Sequence, residues 1–174
     1  WLYKYHIASF ASLVYKIRET GMKANGYAPL VIMQDTHSGR YSKPDGRPAP
    51  IIAYNNPILE KDGGLPEECI ATDDYLDRVG EALVNNAVLA EKAGFDGVDI
   101  KCCHRYLNSE LLSAYNREGR YGGAFENRTR LLCESISGAA AGTSEDFIVT
   151  SRLNAYDGFE YPNGFGVKKD GGTD

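Results

Sequence analysis

The stretch Ala93-Gly94-Phe95-Asp96-Gly97-Val98-Asp99-Ile100 decides the fold. Upstream of it, Leu76, Val79, Leu83, Ala87 and Ala90 recur in steps of three and four, a spacing that predicts an amphipathic helix over 72–93. Thr72 is a good N-cap, Asp73 and Asp74 suit the positive end of the helix dipole, and Gly94 closes the element. Phe95 to Ile100 is then a strand. A helix that hands over to a buried strand through one glycine is half of a βαβ unit.

The same rhythm continues in both directions. Ile7, Phe10, Val14 and Ile17 predict a helix over 3–20 with Gly21 as its stop, followed by Ala28–Met33, a short continuous apolar run that marks a strand covered on both faces. Downstream, a helix over 125–140 turns Leu132, Ile136 and Ala139 inward, and Phe147–Ser151 is the third strand. Helices alternating with buried strands give an α/β fold with a parallel sheet. A (β/α)8 TIM barrel needs about 250 residues, so 174 residues with three clear strands correspond to a partial barrel of about three central βα units. No Gly-x-Gly-x-x-Gly follows a strand, so the phosphate grip of a Rossmann fold is missing. Residues 1–174 are read as one domain, an internal fragment of a barrel domain, with residues 35–71 as a long loop on its active face. The start at Trp1, the first methionine at Met22 and the polar string Lys168–Asp174 fit a piece of a longer protein.

Composition narrows the class. Lys+Arg 19 against Asp+Glu 24 gives a net charge of −5, which argues against a nucleic-acid partner. No apolar run reaches the roughly 20 residues of a membrane span. Cys69, Cys102, Cys103 and Cys133 form no Cys-x-x-Cys, so neither a zinc ribbon nor a redox dithiol is signalled, and reduced thiols in a cytoplasmic protein are expected. No metal site is expected.

Parallel α/β proteins bind ligands at the carboxyl ends of their strands. Those ends read Gln34-Asp35-Thr36-His37-Ser38-Gly39-Arg40, then Asp99-Ile100-Lys101-Cys102-Cys103-His104-Arg105-Tyr106, then Ser151-Arg152-Leu153-Asn154. An amide, imidazoles, an ammonium, a phenol and a guanidinium on one rim are the makings of an active site.

Ala93 to Ile100, His104-x-Tyr106-Leu107 and Tyr121-Gly122-Gly123-Ala124-Phe125-Glu126-Asn127-Arg128-Thr129-Arg130 together resemble the old yellow enzyme family. These are FMN-dependent ene-reductases and NADH:flavin oxidoreductases, related to 2,4-dienoyl-CoA reductases, built on a TIM barrel. Gln34–Arg40 looks like the family's Gln-Leu-x-His-x-Gly-Arg segment, and Phe147–Arg152 like the strand that carries its flavin-contacting arginine. The resemblance runs in order over residues 5–160, and Tyr-Gly-Gly-x-x-Glu-Asn-Arg is its most specific part.

The resemblance implies roles position by position. Gln34 would hydrogen-bond the pyrimidine edge of FMN, and Arg152 would stand by its N1/O2 region, where positive charge favours the reduced ring. His104 would grip the carbonyl oxygen of an activated alkene. Tyr106 would protonate the carbon alpha to that carbonyl while hydride leaves flavin N5 for the beta carbon. Lys101 stands where the family usually has the first histidine of His-x-x-His or His-x-x-Asn; an ammonium also donates to an oxyanion, as a flexible point charge. NAD(P)H would be the reductant and a small activated alkene or related carbonyl compound the substrate, with self-association left open. The family's flavin-phosphate site lies on its last two strands, and the iron–sulfur cluster of some members follows the barrel, so any cluster would belong to sequence downstream of this chain.

Plainer readings stand beside these. His37 is read as a loop brace, Arg40, Glu126 and Arg128 as structural, Asp96 and Asp99 as turn or cap residues, and Cys102 and Cys103 as small buried apolar groups. Lys101 at the end of a central strand also matches where a Schiff-base aldolase places its nucleophile, and an incomplete barrel without activity of its own is the non-enzymatic alternative.

Overall fold

The computed structural model describes residues 2–60 and 63–173. Residues 1, 61, 62 and 174, which the readings of the two termini and of the 35–71 loop touch, lie outside the described residues. In chain order the elements are α1 (Ile7–Asn25), β1 (Ile32–Asp35), α2 (Asp73–Lys92), β2 (Gly97–Ile100), α3 (Leu107–Leu111), α4 (Phe125–Arg128), α5 (Arg130–Gly142) and β3 (Ile148–Thr150). Two compact units result. The first takes in the chain as far as Asp35, Gly80–Ile100 and Glu134–Ser151; the second takes in Thr36–Val79, Lys101–Cys133 and the chain from Arg152 on.

The first unit holds a parallel sheet in the order β1-β2-β3. Gln34 lies opposite Asp99, and Asp99 opposite Thr150. Gly97 sets how closely β2 and β3 approach, because a Cβ there would stand 2.4 Å from the Ile148 carbonyl oxygen. The central strand is buried throughout, with Val98 and Ile100 at 0% exposure. The outer strands differ from the expectation of cover on both faces: Ile32, Gln34, Ile148 and Thr150 are exposed. Alternate residues of a strand point to opposite faces, and three strands do not wrap round far enough to enclose the face these four share.

The helices cover the other face. Leu83, Ala87 and Ala90 of α2 are 2% exposed or less. Asn86 joins that stripe with a partner on each polar atom, donating to Asp35 Oδ1 at 3.1 Å and accepting the Leu2 N–H at 3.2 Å. Thr72 caps α2 as expected, its Oγ1 accepting from Tyr75 N at 3.1 Å. Helix α1 does not stop at Gly21 but runs to Asn25, where left-handed Gly26 ends it by donating to the Met22 carbonyl at 3.0 Å. Gly21 is needed for packing, because a Cβ there would meet the Pro29 ring at 2.4 Å. The helix expected over 125–140 is two pieces, α4 and α5, divided at Thr129, whose hydroxyl donates back to the Phe125 carbonyl at 2.9 Å.

In the second unit the segment between β1 and α2 is not slack. It contains 3-10 turns at Gly39–Tyr41 and Glu67–Cys69, and Ile52 bridges to Ile70 in parallel. Arg40 pairs with both Glu60 and Glu110, whose side chains are 5% and 0% exposed. Burial opposes the Arg40 charge, but Glu110 and Glu60 outweigh it and hold the guanidinium above its ordinary value. Arg128 is a scaffold residue too, donating to the Leu112 and Gly123 carbonyls. Glu126, by contrast, is exposed and contributes only its backbone carbonyl, so its expected ion pair is absent among the described residues.

Candidate active site

The site residues of the second unit hang on a short irregular path from the end of β2 to α3. Cys102 bridges to Leu153 in parallel, with Cys102 N donating to the Arg152 carbonyl at 2.9 Å and Asn154 N to the Cys102 carbonyl at 3.2 Å. That register sets Lys101 beside Arg152. His104 and Arg105 follow at φ +61° and +58°, a left-handed pair that non-glycine residues adopt at a cost. Tyr106 returns to extended backbone as the N-cap of α3.

The strained pair is held from behind. Arg105 is 8% exposed and donates from Nη1 to Asp157 Oδ2 at 2.7 Å and to Ser113 Oγ at 2.9 Å. Gly39 closes the other side, since at φ +60° a Cβ would sit 2.6 Å from Leu107 N. His37 braces that loop, with Gly39 N donating to its Nδ1 at 3.0 Å and its Nε2 paired with Tyr75 Oη at 2.7 Å. Burial lowers its pKa.

The outcome for the five sequence-nominated residues is specific. Lys101 is 5% exposed and its Nζ stands 3.3 Å from the centroid of the Tyr106 ring. Tyr106 is half-buried, its ring also meets Tyr41 at 5.4 Å, and its hydroxyl has no hydrogen-bond partner among the described residues. His104 is exposed, with no side-chain partner among the described residues. Arg152 is exposed on the segment beside Lys101. Gln34 belongs to the first unit, exposed on β1 opposite Asp99. Sequence reasoning passed over Tyr41, Arg105 and Asp157. Tyr41 follows directly on the Gly39-Arg40 pair and could have been noticed, whereas no local pattern foretells that Asp157 meets Arg105. Burial pushes the Cys102 thiol well up, as expected of an apolar filler. Among the described residues no group of three His, Cys, Asp or Glu is placed to hold a metal.

An ammonium packed on a phenol, an exposed imidazole and an adjacent guanidinium form a set of hydrogen-bond donors suited to electron-rich oxygens. The sequence profile of the NADH:flavin oxidoreductase / NADH oxidase family matches residues 3–166. The chain belongs to that family. It is 32% identical over 148 residues to the NADH-dependent flavin oxidoreductase nadA of Aspergillus parasiticus, covering 82% of this chain and 32% of that protein. To the NADPH dehydrogenase of Halalkalibacterium halodurans it is 36% identical over 134 residues, 76% of this chain and 36% of that one. Among solved structures, Old Yellow Enzyme from Pichia sp. AKU4542 superposes with a TM-score of 0.65 at 25% identity, covering 88% of this chain and 41% of that one. The 6-hydroxypseudooxynicotine amine oxidase of Pseudomonas geniculata N1 gives 0.72 at 23% identity, covering 92% and 24%. The chain thus spans about a third of the length of these two curated relatives. Its three parallel strands are part of the (β/α)8 barrel of the family, not a closed barrel.

Proposed function

We propose that this chain supplies the ring-edge and substrate side of an FMN-dependent reductase that draws on NAD(P)H and saturates an activated carbon–carbon double bond. The observation that carries the reading is the half-buried Tyr106 phenol, with the Lys101 ammonium on its ring face, its hydroxyl without a partner among the described residues, and the exposed His104 two residues before it. Open to solvent and bonded to no group among the described residues, that hydroxyl can meet a ligand without giving up a bond within the chain.

Gln34 would hold the pyrimidine edge of FMN through its amide, and Arg152 would hold the N1/O2 side through its guanidinium. When bound, FMN supplies the hydride. Lys101 and His104 then act on the substrate's carbonyl oxygen as donors, withdrawing electron density from the conjugated alkene. Tyr106 keeps a proton at Oη at neutral pH, because a phenol ordinarily titrates near 10, and releases it to the alpha carbon. Its partial exposure lets solvent return the proton. Cytoplasmic operation suits four cysteines of which none is disulfide-bonded. No helix among the described residues is long and apolar enough to cross a membrane.

The test is the absorption spectrum of the full-length protein purified without added cofactor. Flavin bands that shift on adding NADH or NADPH under anaerobic conditions are expected. A colourless protein that takes up no added FMN would end the reading.

A further inference from the structure

We infer that Arg105 and Asp157 are positioning residues for proton delivery: their buried side chains hold the turn that fixes where the Tyr106 phenol stands. This rests on the function proposed above and adds two residues to its proton step. The turn runs from Cys103 to Tyr106 and is closed by Tyr106 N donating to the Cys103 carbonyl at 3.4 Å. Its two central residues, His104 and Arg105, both have left-handed backbone, at φ +61° and +58°. Glycine, asparagine and aspartate favour a turn of that hand, and the pair His-Arg does not. The residues of the turn thus work against its shape, and the hold has to come from outside it.

Of the two central side chains, only that of Arg105 supplies a hold, since the exposed His104 imidazole has no partner among the described residues. Arg105 Nη1 donates to Asp157 Oδ2 at 2.7 Å and to Ser113 Oγ at 2.9 Å, and the guanidinium lies 5.3 Å from the centroid of the Phe159 ring. Asp157 is itself fixed. Its backbone N–H donates to the Phe165 carbonyl at 3.0 Å, and its Oδ2 accepts from Phe165 N at 2.9 Å. The turn in turn sets a contact across itself: the Lys101 ammonium, five residues before Tyr106, stands 3.3 Å from the centroid of that ring. A turn relaxed to negative φ would send the Tyr106 ring in another direction, and its hydroxyl with it. A displacement of about 1 Å is enough to slow a step about a hundredfold.

Arg105→Ala and Arg105→Gly in the full-length protein separate positioning from plain stabilisation. Both lose the ion pair with Asp157, so both should melt below wild type, but only glycine takes up the left-handed backbone without strain. NMR on protein carrying 13C-labelled tyrosine reads the surroundings of the Tyr106 ring without any turnover, its signal being the one that Tyr106→Phe removes. That signal should move or broaden in Arg105→Ala and return towards its wild-type position in Arg105→Gly. With 2-cyclohexen-1-one as the probe, alkene reduction should slow by about tenfold to a hundredfold in Arg105→Ala and stay within about threefold of wild type in Arg105→Gly. Reduction of the flavin by NAD(P)H should hold its rate in both. A ring signal unmoved in Arg105→Ala, or displaced equally in the two variants, would overturn the inference. If Arg105→Ala does not fold, Asp157→Asn takes its place: it weakens the hold while arginine keeps its left-handed position, and an unmoved signal there overturns the inference equally. The expected ring signals in a protein that takes up no flavin would sink the reductase while keeping the hold on Tyr106, and flavin-dependent alkene reduction at one rate in all three proteins would do the reverse.

Discussion

Arg105 Nη1 and Asp157 Oδ2 lie 2.7 Å apart, with the Asp157 side chain fully buried, and that bond ties the loop after β2 to the loop after β3. Asp157 also accepts from Phe165 N at 2.9 Å, and Ser113 joins Arg105 to Tyr54, so the tie sits inside a polar network. On one side of it are His104 and Tyr106; on the other, five residues upstream, is Arg152. A left-handed pair at His104 and Arg105 persists only where its surroundings over-determine it, and this network does so.

Arg105→Ala should therefore lower stability by about 3–5 kcal/mol, the usual cost of leaving one buried charge unpaired. Arg105→Lys should recover part of it, since an ammonium can still reach Asp157 but cannot repeat the planar grip on Ser113 as well. Urea unfolding midpoints of the three proteins measure this; an Arg105→Ala midpoint equal to wild type would show the bond to be idle.

His37 makes stability depend on pH in a definite direction. Gly39 N–H donates to Nδ1, so the neutral ring with its proton on Nε2 is the bonded form. Burial lowers the folded pKa below the ordinary value of 6.5, so as pH falls through 6.5 the unfolded chain takes up a proton before the folded one. Stability is full above that value and is lost on acidification until the folded group titrates. Thermal melts between pH 7.5 and 5 should show the loss, and His37→Asn, which keeps an acceptor for Gly39, should flatten the slope. An identical slope in the variant would remove His37 as its cause.

Thiol reactivity should sort by burial. Cys133 is exposed and Cys69 half-buried, whereas Cys102 and Cys103 are buried and the Cys102 thiolate is further disfavoured by its surroundings. Brief alkylation of native protein with iodoacetamide, read by peptide mass spectrometry, should label Cys133 first, Cys69 more slowly, and the adjacent pair only after unfolding. Early labelling of Cys102 would contradict the packing at the end of β2.

How much was legible in the sequence follows from how local each signal is. The 3.6-residue stripe of α2 was readable because the periodicity of one segment encodes it, and β2 because Gly94 ends that helix directly before it. The end of α1 was misplaced because Gly21 looks like a stop, and only contact with Pro29 shows that it is there for space. The identity of Lys101 was plain, but not that its ammonium lies on the Tyr106 ring, because that contact depends on the turn at His104–Arg105, and the turn on Asp157, 52 residues further along the chain. The expected cover on both faces of the outer strands failed for a related reason: cover is a property of neighbouring strands, not of the strand itself.

Tyr106→Phe separates chemistry from architecture. The substitution keeps the ring face under the Lys101 ammonium and the ring contact with Tyr41. The lost hydroxyl has no partner among the described residues, so no hydrogen bond of this chain goes with it. Stability should stay within about 0.5 kcal/mol of wild type. In the full-length enzyme, alkene reduction should fall by about 10²–10⁴-fold, the usual worth of a positioned general acid, while reduction of the flavin by NAD(P)H, which needs no proton from this phenol, should hold its rate. Stopped-flow measurement of the two half-reactions is the check. An equal fall in both would mean that Tyr106 shapes the cofactor site instead of delivering a proton, and an unchanged alkene reduction would assign the proton to another group, with His104 the first to test by His104→Gln.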